Sequence, residues 1–377
     1  MKLAALILLL AAGLAARSGD AQAQSAVAAP AQAAAATASK ELGKRAEAAR
    51  QSGRGAEAIA LYRQGLALDS GWEEGWWQLG TLLYEAASYD EARAAFARLV
   101  GLQPAGGPAW ALLGLSQFQI GQQKEALESL QKARVLGTGA NRQLTSLADY
   151  HAAVLMVRFG QFEKAMPILL ALAKESSGHP RLLVPLGLSL LALPLLPGDA
   201  LPEQTQLATE VGKAAYLTTL LRLDEAGQTY RQLIERYPQQ PNVHYNYVLF
   251  LLLLRDADGA LRQFQKVVQL WPSHVSARLQ IVFEYVRRSD YKAALPVAEQ
   301  AIELAPHSAE AHSNLGLVLV ELGEADASIR HLKKAAELAP VDHQVRFWLA
   351  RAYSRAGRKD DAERELNEFR RLRGEKP

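Results

Sequence analysis

The chain has 377 residues, 49% of them hydrophobic and 21% charged, which is enough to bury a sizeable core. Its 42 Lys and Arg are interspersed with 39 Asp and Glu, and the resulting formal charge of +3 supplies no basic face of the kind that binds nucleic acid. The absence of cysteine excludes a disulfide framework, thiolate catalysis and zinc–thiolate sites.

The N-terminus opens with Lys2 and the apolar run Leu3–Ala16. Its fourteen residues suit a secretory segment and are short for a membrane span. Ala21-Gln22-Ala23 fits a small-residue cleavage site, so residues 1–23 are expected to be a signal peptide that exports the chain to the periplasm of a bacterium. The alternative is an uncleaved anchor in the inner membrane. Residues 24–38, mostly Ala with Gln, Ser, Thr and Pro30, read as a flexible linker.

From Ser39 onward a period appears. The Ala in Tyr89-Asp90-Glu91-Ala92 has counterparts 34 residues away at Ala58 and Ala126. A second series, also spaced by 34, runs through Ala226, Ala260, Ala294, Ser328 and Ala362. Ala165 is a further copy, 39 after Ala126 and 61 before Ala226. Other positions recur in phase: a Gly such as Gly80, Gly114 or Gly316 twelve before the Ala, a large residue such as Phe96 four after, and a Pro such as Pro104, Pro238, Pro272, Pro306 or Pro340 twelve after. A fixed period of this length marks a repeat array.

Trp76, Leu79, Gly80, Ala92, Phe96 and Pro104 carry a pattern that resembles the tetratricopeptide repeat (TPR) family, and Trp110, Leu113, Gly114, Ala126 and Leu130 repeat it. The resemblance implies an all-α fold: a right-handed superhelical α-solenoid of about nine helix–turn–helix repeats covering Ser39–Gly374. Small residues mark where paired helices cross, and Pro ends the second helix of each pair. Four repeats are expected over 39–178 and five over 206–377, with polar first and last helices as caps.

Within Gly71–Gly80, Trp76 falls on the framework position, Trp72 at the junction with the preceding repeat, and Trp77 towards the concave face. Residues 179–205 interrupt the array. Leu182–Leu196 is apolar but broken by Pro185 and Pro194, and reads as an inserted buried helix followed by a Pro-rich loop. Pro167 and Pro296, two after the recurring Ala, are assigned to the tolerant first turn of a second helix. Val248–Leu254 is apolar all round its helix, which predicts burial on every side. The cover is a partner segment, the protein's own insert or N-terminus, or a second copy in a homodimer.

No catalytic, cofactor-binding or metal-ligating constellation appears. The eight His are scattered, and phosphate-cradling and nucleophile-elbow motifs are missing. In arrays of the family the first helices line a concave surface. Mapping its inward positions by phase gives a partner-binding groove of Trp77, Tyr84, Phe118, Tyr150, Arg158, Tyr245, Leu249, Leu252, Phe283, Arg287, Phe347 and Arg351. Leu115, Val154, Leu279, Val286, Leu317, Val320 and Arg355 accompany them. Aromatics with Arg dominate interface energies. The chaperone-adaptor members of the family clamp a carboxylate with Lys, but Gly43, Trp77 and Ala111 stand where the first Lys is expected. The resemblance therefore implies a non-enzymatic scaffold of the bacterial cell envelope that binds a protein or peptide. The alternatives are an accessory subunit of polysaccharide or outer-membrane export, and a regulatory half of an enzyme.

Overall fold

The computed structural model describes residues 33–176 and 178–374, so the expected signal peptide lies outside the described residues. No strand occurs among them; they form nineteen helices. The helices fall into two compact units.

The N-terminal unit runs to Ser176 and also takes in Pro194–Ala200. It holds α1 (33–51), α2 (Gly55–Leu68), α3 (Glu73–Glu85), α4 (Tyr89–Leu102), α5 (Gly107–Gln119), α6 (Gln123–Leu136), α7 (Arg142–Arg158) and α8 (Phe162–Glu175). Helix α1 is already formed at residue 33, so the last residues of the Ala-rich stretch read as linker are helical here. Alanine is the residue that loses least on entering a helix.

The C-terminal unit holds α9 (Pro180–Leu190), α10 (Pro202–Thr219), α11 (Leu223–Arg236), α12 (Pro241–Leu253), α13 (Ala257–Leu270) and α14 (Val275–Arg287). It continues with α15 (Tyr291–Leu304), α16 (Ala309–Leu322), α17 (Ala325–Leu338), α18 (His343–Arg355) and α19 (Lys359–Leu372).

The pairs close as the small residues require. A Cβ on Gly80 would lie 2.8 Å from the Phe96 ring, and one on Gly316 2.5 Å from Leu332. Ala92, Ala126, Ala165, Ala226, Ala260 and Ala294 are fully buried. Where Ser328 replaces the usual Ala, its Oγ donates to the Gly316 carbonyl at 2.7 Å, which satisfies the buried hydroxyl. Each turn from a first to a second helix needs one residue in the left-handed region. Gly53, Gly121, Gly160, Gly323 and Gly357 supply it in five turns, whereas Ala87, Leu221, Arg255 and Ser289 adopt it in four others. The residue before each recurring Pro, such as Gln103 or Ala305, leaves the helical region and ends the second helix.

Pro167 and Pro296 are not in a first turn. Each is the sixth residue of its helix, α8 or α15, and removes an N–H that would bond four residues back. Both lie on the exposed side.

The interruption of the array is a single helix, α9, followed by an irregular segment. Leu183, Leu186 and Leu188 of α9 are buried. Helix α9 runs antiparallel to α10 and touches it backbone to backbone: a Cβ on Gly187 would lie 1.8 Å from the Ala208 carbonyl oxygen, and one on Gly212 2.1 Å from that of Leu183. Its C-terminal carbonyls have no helical partner and are taken by α12, where Asn246 donates to Leu190 at 2.9 Å and Asn242 to Leu191 at 2.6 Å.

Candidate partner-binding face

In the N-terminal unit the first helices α3, α5 and α7 lie side by side. Trp77 is half-buried and meets Phe96 edge-on, with ring centroids 6.2 Å apart. It lines a hollow of about 570 Å³ with Leu99, Pro108, Asn141 and Leu144. Tyr84 stands edge-on to Tyr89, and burial raises its phenol above the ordinary value. Phe118 and Tyr150 both pack on His151, at 4.6 and 5.2 Å, and burial holds that imidazole below its ordinary value. Arg158 is engaged with its own chain, donating to the Pro194 carbonyl at 3.0 Å.

The neighbours Trp72 and Trp76 are framework. The Trp72 ring occupies a slot between Gly43, Gly65 and Gly75, each of which would place a Cβ less than 3.0 Å from it. Trp76 packs on the core and its indole N–H donates to the Ser70 carbonyl at 2.9 Å. Trp110 makes the same bond to Pro104, and at the equivalent position of later repeats His244 and His312 contact Pro238 and Pro306. This replacement of indole by imidazole is invisible in the small-residue pattern but keeps the 34-residue phase.

In the C-terminal unit the face is apolar and open. The Val248–Leu254 run is not buried all round: Val248, Phe250 and Leu251 are in the core, but Leu249, Leu252, Leu253 and Leu254 are exposed. The chain's own insert engages α12 through Asn242 and Asn246 and leaves these leucines uncovered. Tyr245 is half-buried against Phe264 and His274. Phe283 is 57% exposed, the most open aromatic on this face. It lines a hollow of about 530 Å³ with Val286, Leu317, Phe347, Trp348 and Phe369. Phe347 meets Trp348 edge-on at 5.2 Å and lies tilted to Phe369 at 5.6 Å. Trp348, Phe369, His343, Asn314 and Arg373 complete this hollow and were not among the residues mapped from phase.

The mapped arginines of the C-terminal unit are held by carboxylates. Arg287 pairs with the buried Glu284 at 2.9 Å. Arg351 and Arg355 share Glu321, at 2.8 and 3.0 Å, and Arg351 also lies over Trp348. Four mapped companions are core instead of groove: Leu115, Val154, Leu279 and Val320 are all buried. They point between helices because their neighbours approach closely, which phase alone does not report. Among the described residues no cluster of three or more His, Asp or Glu is placed to hold a metal ion, and no helix is long and apolar enough to cross a membrane.

No curated protein matches the chain significantly. Among solved structures, MamA from Desulfovibrio magneticus RS-1 (residue 41 to its end) is 23% identical over 44% of this chain and 93% of its own, with a TM-score of 0.40. YrrB, described as a TPR protein with an unusual peptide-binding site, is 18% identical over 44% of this chain and 84% of its own, also with a TM-score of 0.40. Two family models described as tetratricopeptide repeat match directly, one at residues 216–275 and 284–343, the other at 49–115 and 319–371. These segments span more than half of the chain and fall on the helix pairs described above. The chain belongs to the tetratricopeptide repeat family.

Proposed function

We propose that this chain is an exported, non-enzymatic scaffold of the bacterial cell envelope that binds a protein or peptide segment along the first-helix face of its C-terminal unit. Tetratricopeptide repeats serve as protein-interaction modules, and models of them match more than half of the chain. The observation that carries the reading is the open apolar surface of Leu249, Leu252, Phe283 and Phe347, all more than a third exposed although large and hydrophobic. Export and the envelope setting rest on Lys2, Leu3–Ala16 and the Ala21-Gln22-Ala23 site of the sequence.

A photo-reactive residue placed at Phe283 in living cells tests the face, with Lys333 on the exposed side of α17 as control. A defined partner is expected to be captured from Phe283 and not from Lys333. The same products from both positions, or none from either, would sink the assignment.

A further inference from the structure

We infer that His312 and His331 form a one-proton latch between α16 and α17, and that a second proton opens this helix pair in acid. The latch does not depend on what the first-helix face binds.

His312 stands in the phase of Trp76 and Trp110 on a first helix, and His331 lies nineteen residues on, on the second helix packed against it. Their Nδ1 atoms are 3.1 Å apart and their ring centroids 5.4 Å apart. The second distance exceeds the first by about twice the radius of an imidazole ring, so both nitrogens lie on the line of centres and point at each other. A metal ion about 2 Å from each nitrogen has no room on that line, whereas a hydrogen has.

The proton is placed by the backbone. His312 Nε2 is 3.0 Å from the Pro306 carbonyl, which can only accept, so a neutral His312 carries its hydrogen on Nε2. Its Nδ1 is then the acceptor, and His331 Nδ1–H donates to it. A proton added at His331 Nε2 leaves both bonds in place. A further proton goes to His312 Nδ1, where two N–H groups would face each other at 3.1 Å. His312 is 8% exposed, so water does not replace the bond that is lost.

The surroundings do not offset that charge. The crevice beside Trp76 is lined from α2, α3 and α4. The same phase around His312 gives Glu299 and Glu303 on α15 and Arg330 and Lys334 on α17, all exposed and two of each sign. On the flanking first helices Arg278 and Arg346 hold the phase of His312; Arg278 hydrogen-bonds Gln300 and Arg346 pairs with Glu365. Among the described residues no carboxylate lies within 4.0 Å of either imidazole. Burial, His312 and Arg330 together hold the His331 ring below its ordinary value. The unfolded chain takes a proton on each ring below about pH 6.5 and the closed pair refuses the second, so closure is favoured above that pH and lost as pH falls through the folded values. Because α16 carries Ser313, Asn314 and Leu317 into the hollow beside Phe283 and Phe347, opening dismantles that hollow.

The equivalent positions of α12 and α13 hold His244 and Gln263. There the ring nitrogens meet the Pro238 carbonyl at 3.0 Å and Gln263 Oε1 at 2.7 Å, and a protonated His244 donates to both oxygens.

Hydrogen–deuterium exchange on the full chain, corrected for the intrinsic pH dependence of exchange, tests the latch. Between about pH 7.5 and about pH 5, protection of α16 and α17 is expected to fall by up to about tenfold per pH unit more than that of α12 and α13. His331→Gln gives α16 and α17 the side chains found on α12 and α13, and is expected to fold and to abolish the extra loss. Gln263→His is expected to transfer the loss to α12 and α13. Equal acid dependence of the two helix pairs in the unaltered protein, or an extra loss that survives His331→Gln, would overturn the inference. If His331→Gln has already lost protection at the starting pH, Gln263→His decides: an acid-labile pair of α12 and α13 upholds the latch, and an unchanged one removes it.

Discussion

Three tryptophans within six positions have three different environments. Trp72 fills a slot that three glycines keep open, Trp76 ties its indole to the preceding turn, and Trp77 borders a hollow. The histidines divide as sharply. His151, His274 and His331 are all held below the ordinary imidazole value, chiefly by burial, and His331 also by His312 close by. A depressed value means that the folded protein keeps the neutral ring while the unfolded chain takes up a proton first. The stability these rings allow is therefore complete above about pH 6.5 and is lost as pH falls from there through the folded values. Urea unfolding followed by tryptophan fluorescence should show a midpoint that drops between about pH 7.5 and about pH 5. His151→Gln should make the drop shallower, since His274 and His331 still titrate. An unchanged slope would remove His151 from the explanation.

At the scale of the helix, the crossing of α9 and α10 is set by two glycines against backbone. Gly212→Ala would force a methyl group to within 2.1 Å of the Leu183 carbonyl oxygen, and neither backbone can yield as a flexible side chain would. A loss of about 2 kcal/mol is expected in chemical unfolding. Gly198→Ala, with open space around it, should be close to neutral. The turns predict the opposite sign. Leu221 holds φ 58° and is 72% exposed, so Leu221→Gly relieves a left-handed side chain without removing core. It should raise stability by about 1 kcal/mol, and a decrease would show that Leu221 makes contacts of value.

Much at this scale was legible beforehand. The 34-residue spacing, with its small residues and prolines, located the helix pairs because each sits where one side chain size or one missing N–H is required. The depth of the face was not legible. Leu115 and Leu249 occupy the same phase, eleven before the recurring Ala, yet Leu115 is fully buried and Leu249 is 49% exposed. What separates them is how closely neighbouring helices approach, and that depends on side chains far away in sequence. The pairing of Arg351 and Arg355 on Glu321 also escaped, because its partners are 30 and 34 residues apart and no local pattern marks them.

At the scale of the whole molecule, stability in such arrays is a sum over repeats and their interfaces, since each pair packs chiefly on its neighbours. Among the described residues the core includes several separate clusters within the C-terminal unit and another within the N-terminal unit. Unfolding is not expected to be all-or-none. Scanning calorimetry should give a measured enthalpy well above the van't Hoff value, and equal values would show a single cooperative block. The solitary helix α9 has a further meaning. First helices carry odd numbers from α1 to α7 and even numbers from α10 to α18, because α9 adds one helix where every repeat adds two. Duplication of a whole repeat conserves parity and cannot produce that change. The lone helix therefore did not enter the array as one more copy of the helix pair.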